Sequence, residues 1–73
     1  MEQRADILVR FGRRVASLRK SQRLTQEILA SLSGLDRSYV SGIERGQRNV
    51  SLKNIQALAQ ALDTTLDKLF EGV

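Results

Sequence analysis

The 73-residue chain carries a formal net charge of +4 and contains neither cysteine nor histidine. Those absences exclude disulfides, thiolate or imidazole zinc sites, iron–sulfur clusters and any histidine-based catalytic pair. Eight scattered acidic residues without a glycine-rich phosphate loop argue against an enzyme, and no apolar run approaches the roughly 18 residues of a membrane span.

No proline interrupts the chain, and its apolar residues recur at helical rather than alternating spacing. Ile7, Phe11, Val15 and Leu18 line one face of a helix predicted over about residues 5–21, widened by Leu8. Arg10, Arg13, Arg14 and Lys20 lie largely away from that face, and Gly12 within it signals close packing. Ser21, Gln22 and Arg23 break the pattern. Thr25 is placed to cap a second helix with Gln26 and Glu27 in its first turn, where the helix dipole favours acid. Leu29, Ala30 and Leu32 supply its inner face, and Gly34 can end it in a left-handed turn. Asp36 is expected to cap a third helix, with Val40 and Ile43 inward, Leu35 just before it and Gly46 at its end.

A loop from Gln47 to Val50 follows. Ser51 then caps a fourth helix bearing Leu52, Ile55, Leu58, Ala59 and Leu62. Past Asp63 and Thr64, Thr65 can cap a short fifth helix with Leu66, Leu69 and Phe70 inward. The fold class is all-α: five short helices around one core, forming a single domain over residues 1–73.

Residues 25–45 have the parts of a helix-turn-helix. Ala30 is small enough for a close crossing, Gly34 suits the turn, and Leu35, Val40 and Ile43 lock the angle. With Val40 and Ile43 inward, positions 37, 38, 41 and 42 turn outward, and Tyr39 and Arg45 lie at the flanks. That face reads Arg, Ser, Ser, Gly. Short polar residues let a helix sink into the major groove, where Arg37 can pair bidentately with guanine and Ser38 and Ser41 can meet base edges or phosphates. Gly42 reads as close approach to a DNA strand, with a weak spot in an exposed helix the alternative. The charge distribution agrees: residues 1–53 hold 11 basic and 5 acidic side chains, and residues 54–73 hold one basic and three acidic.

The run TQEILASLSGLDRSYVSGIERGQRNVSL resembles the Xre/Cro-like helix-turn-helix repressors, a family of five-helix, lambda-repressor-like DNA-binding domains. Within it, LDRSYVSGIERGQRN is similar to the controller proteins of restriction–modification systems. The resemblance spans about residues 7–71. It implies that Gln26 grips a phosphate at the start of the second helix and that Arg37 is the main base reader, flanked by Ser38 and Ser41. It implies backbone contacts from Tyr39, Arg48, Asn49 and Ser51. For Tyr39 a packing role, and for Arg48 a solvated one, are the alternatives. Arg19 and Glu44 match positions that pair between the first and third helices, which makes them scaffold rather than contact. Three departures stand out. Ile28 replaces a polar residue and is either exposed or repacked, Val50 replaces a loop proline, and Asp63 must take a left-handed turn where glycine is frequent.

A single domain of this size contacts one half-site, so a two-fold homodimer on a near-palindrome is expected. Its contacts are expected from residues 52–73, through Ile55, Leu66, Leu69, Phe70 and Val73; the alternative is that these close the monomer core. Double-stranded operator DNA and a second copy are the expected partners, with RNA polymerase a further one at promoters. No metal, cofactor or small-molecule ligand is expected. The N-terminal MEQRADILVR lacks the apolar run of a secretory signal, which points to an intracellular protein, and the resemblance implies a cytoplasmic, nucleoid-associated one of bacterial or phage origin. The resulting function is transcriptional activation or repression by operator occupancy. An antitoxin or phage-type repressor of the same fold, and a helical protein–protein adaptor, are the alternatives.

Overall fold

The computed structural model describes residues 6–73, so a helix start at residue 5 lies outside the described residues. Helices α1 (Ile7–Ser21), α2 (Gln26–Ser33), α3 (Arg37–Glu44), α4 (Leu52–Ala61) and α5 (Leu66–Leu69) follow in the predicted order, with no strand among the described residues.

Side chains start three of the helices. The Asp6 carboxylate accepts from the Leu8 amide at 2.7 Å, the Thr25 hydroxyl from Ile28 at 3.1 Å and the Ser51 hydroxyl from Asn54 at 3.2 Å. Each satisfies an amide that the helix itself leaves without a partner. Asp36 and Thr65 occupy the cap positions of α3 and α5 but make no side-chain cap bond, contrary to expectation. The Thr65 side chain instead lowers the Asp67 pKa, while the exposed Asp36 carboxylate stays with solvent.

All four turns close in the same way. Arg23, Gly34, Gly46 and Asp63 take positive φ values of 60°, 72°, 73° and 52°. The amide that follows each one then bonds to a carbonyl five residues back: Leu24 to Arg19, Leu35 to Ala30, Gln47 to Gly42 and Thr64 to Ala59, at 2.9–3.1 Å. Gly34 adopts this conformation without a side-chain penalty. Arg23 and Asp63 each carry a cost of about 1–2 kcal/mol, which the closing hydrogen bonds and the packing on either side must offset.

Phe11, Val15, Leu29, Ala30, Val40, Ile43, Leu58, Ala59, Leu62 and Leu69 form one buried cluster drawn from all five helices and the α4 cap. Burying each large member stabilises the fold by about 1.5–3 kcal/mol. Several expected inner residues stay outside it. Leu32 is 58% exposed and Leu52 75%, and Ile7, Leu66 and Phe70 are also exposed. In α2 both Leu29 and Ala30 pack inward, which leaves Leu32 roughly a third of a turn from their midpoint. Leu52 begins α4, one turn before the residues that reach the core. Ile28 is exposed, which resolves its two readings in favour of a surface apolar residue.

The α1–α3 crossing sets the orientation of α3. A Cβ at Gly12 would lie 2.2 Å from the Ile43 carbonyl oxygen and 2.9 Å from that of Glu44. Backbone rests on backbone here, so only glycine fits. The close packing read from Gly12 is this contact.

Candidate nucleic-acid interface

With Val40 and Ile43 buried, α3 turns Arg37, Ser38 and Ser41 toward solvent, where they line an open concavity with Asp36 and Arg45. Arg45, expected only at the flank, joins this surface. It donates through Nη1 to the Ser41 hydroxyl and through Nε to Gln47 Oε1 at 3.2 Å. Helical spacing places Arg45 one turn beyond Ser41 on the same face, and that signal was present in the sequence.

Gly42 does not belong to that face. It is buried, and a Cβ there would stand 3.0 Å from Cγ and 3.1 Å from Nε of Arg48. The missing side chain leaves room for Arg48 to fold back from the following loop rather than for a DNA strand. The Arg48 guanidinium then lies 5.6 Å from the centre of the Tyr39 ring, within the range of a cation–π contact. Tyr39 packs on the core with its ring, and its hydroxyl accepts from Asn54 Nδ2 at 3.2 Å. The packing reading of Tyr39 holds for its half-buried ring. Asn54 was not singled out in the sequence. Its only signal was its place three residues after the capping Ser51. Asn49 and Ser51 are exposed.

Behind this surface, Arg19 Nε and Nη2 donate to Glu44 Oε2 and Oε1 at 2.7 and 2.9 Å, and Nη1 donates to the Leu24 carbonyl at 2.8 Å. The two side chains are 12% and 6% exposed. The hydrogen bond donated to Glu44 raises the Arg19 pKa above its ordinary value against the opposing effect of burial, so the guanidinium stays charged throughout the working range. Gln26 Nε2 also donates to Glu44 Oε1, at 3.0 Å. Its amide is thus held from behind, with the second N–H of Nε2 outside that bond.

The residues expected at a dimer surface divide. Leu69 is fully buried in the monomer core and has no side-chain surface to offer, which removes it from that set. Leu66, which begins α5, and Phe70, its C-cap, are exposed one turn apart. One face of Phe70 stacks on Phe11 with ring centres 5.1 Å apart. Ile55 and Val73 are partly buried against the core.

Among the described residues, no group of three or more acidic side chains is gathered as metal ligands would be, and no helix is long and apolar enough to cross a membrane.

Comparison with known proteins places this geometry. The sequence pattern of the helix-turn-helix family matches residues 15–69. The control protein C.MunI from a Mycoplasma species is 45% identical over 69 residues, covering 93% of each chain. The crystal structure of the restriction–modification controller protein C.AhdI from Aeromonas hydrophila is similar at 62% identity with a TM-score of 0.86, covering 88% of this chain and 97% of that one. The controller protein C.Esp1396I, solved as a tetramer in complex with its natural 35 base-pair operator, is 33% identical with a TM-score of 0.86, covering 94% of this chain and 91% of its own. The chain belongs to the helix-turn-helix family of restriction–modification controller proteins, which are DNA-binding transcription regulators rather than enzymes.

Proposed function

We propose that this controller protein binds near-palindromic operator DNA as a two-fold homodimer, with α3 of each copy in the major groove. The observation that carries the reading is the outer face of α3. Arg37, Ser38, Ser41 and Arg45 stand over buried Val40 and Ile43, and the single acid of the helix, Glu44, is turned inward onto Arg19. Arg37 reads a guanine, and Ser38 and Ser41 contact neighbouring base edges. Gln26, Tyr39, Arg48, Asn49 and Ser51 hold the sugar–phosphate backbone, with Asn54 fixing the Tyr39 hydroxyl.

Leu66 and Phe70, with Ile55 and Val73 beside them, supply the apolar contact between copies. A cytoplasmic, nucleoid-associated site of action and contact with RNA polymerase at promoters follow from this role. The C.Esp1396I tetramer in complex with its natural 35 base-pair operator supports operator binding by more than one copy.

Selection of bound duplexes from a random library tests the reading. The expected result is a two-fold symmetric sequence with half-site centres about 10–10.5 base pairs apart or a multiple of that. Enrichment of nothing at low salt, or of an isolated half-site, contradicts it.

A further inference from the structure

We propose that a basic stripe on α1, made by Arg13, Ser17 and Lys20 and continued by Arg45, is a second phosphate-binding surface. It holds the backbone of the same duplex outside the base pairs read by α3. The proposal rests on the operator-binding reading.

The α1 cations have different uses. Arg10 donates to the Val73 carbonyl, and Arg14 donates to the carbonyls of Leu69 and Lys68 at 3.3 and 2.7 Å. Arg14 is thereby spent on the C-terminal end of α5, where unsatisfied carbonyls attract cations, and Arg10 on the segment that follows it. Arg19 is committed to Glu44. Arg13 and Lys20 are exposed, and neither side chain has an ion-pair partner among the described residues. With Ser17 between them, they recur at steps of four and three and therefore share one helix face.

That face opens into a concavity also lined by Gln26, Glu44 and Arg45. Its one acid is neutralised, because Glu44 already accepts from Arg19 and Gln26. Arg13, Lys20 and Arg45 therefore contribute their charge to it undiminished. Arg45 also lines the concavity over α3, so the two surfaces are continuous. A strand that leaves the groove past Gln26 runs onto the α1 stripe.

The chemistry selects phosphate over a protein partner. The lining offers cations, a hydroxyl and an amide, and its only small apolar side chain is Ala16. A protein interface needs a buried aromatic or aliphatic anchor, and none is present in this lining. A regular row of phosphates needs only charge and donors.

The test compares the wild-type protein with the Arg13→Ala/Lys20→Ala variant on two duplexes: the bare operator, and the operator extended by ten base pairs on each side (roughly one helical turn). Both side chains are solvated, so the melting temperature should not change. On the extended duplex the variant is expected to bind about tenfold more weakly at low salt. Its salt slope is expected to fall by about two units per half-site. On the bare operator the two proteins should converge. Lys68→Gln, which removes a cation that does not line this concavity, should leave the slope unchanged on both duplexes. Equal slopes for wild type and double variant on the extended duplex overturn the proposal. A slope difference that survives trimming overturns the flanking placement. Wild-type binding that fails to prefer the operator over random sequence is a separate result, and it contradicts the operator reading instead.

Discussion

Helix α3 has two surfaces that answer to different requirements. On its inner side, Ile43 and Glu44 meet α1 at a crossing where only Gly12 leaves room, and Glu44 is held by Arg19 and Gln26. On its outer side, Arg37 and Ser38 are solvated and no core packing depends on them. The inner surface fixes where the helix points, and the outer surface determines what it meets. A substitution on one side should therefore register in stability, and one on the other in DNA affinity.

The largest effect is expected at the ion pair. Glu44→Ala strands the Arg19 guanidinium at a site only 12% exposed, so about 3 kcal/mol of stability should be lost. Chemical denaturation measures it, and operator binding should return when the variant is cooled to where it folds. Binding that stays lost in the folded variant would place Glu44 on the DNA side.

Gly12→Ala is expected to follow at about 2–3 kcal/mol, because the added methyl meets backbone oxygens that no rotamer change can move. Unchanged stability would mean that the crossing can open without cost.

Arg37→Ala should leave the denaturation curve within about 0.5 kcal/mol of wild type. It should cost about 1–3 kcal/mol of operator affinity and relax the preference at one base pair. Arg48→Ala should weaken specific and random DNA alike and lower the salt slope by about one unit. An unchanged slope would leave Arg48 as a partner of Tyr39 alone.

The smallest effect concerns pH. The Thr65 hydroxyl, more than any other group, holds the Asp67 pKa below the ordinary carboxylate value. The stability this contributes is present above that ordinary value and is lost as pH falls through the lower folded one. Asp67→Asn should therefore flatten part of the acid limb of a stability–pH curve. With no histidine or cysteine side chain, the curve should stay level between about pH 6 and 7.

Much of this division is legible in the sequence. The helix order, the Thr25 and Ser51 caps and the Gly34 turn follow from local rules, because each depends on residues within one turn, whereas the left-handed Asp63 was reached through family resemblance. The Arg19–Glu44 pair joins residues 25 positions apart and was reached only through family resemblance. Other features depend on tertiary contacts that periodicity does not carry. Gly42 sits on the outer side of a helical projection, yet Arg48 folds back from the next loop and covers it. Leu69 is apolar like Leu66 and Phe70, but three residues of one short helix cannot reveal which of them the core will take. In α2, eight residues and about two turns were too few to fix the phase, so Leu32 was expected inward and lies outward. Arg23 adopts the same left-handed turn as Gly34, and nothing in its side chain announces it.

The base-reading role of the outer face is tested most directly by a double-mutant cycle between Arg37 and its base. The selected operator is bound with guanine, or with 7-deazaguanine in which the N7 acceptor is removed, by wild type and by Arg37→Ala. If Arg37 reads that guanine, the modified base weakens wild-type binding and leaves the variant nearly unaffected, with a coupling energy of about 1–3 kcal/mol. If the two losses simply add at every guanine of the half-site, Arg37 does not read a guanine N7 and the assignment of the outer face is wrong.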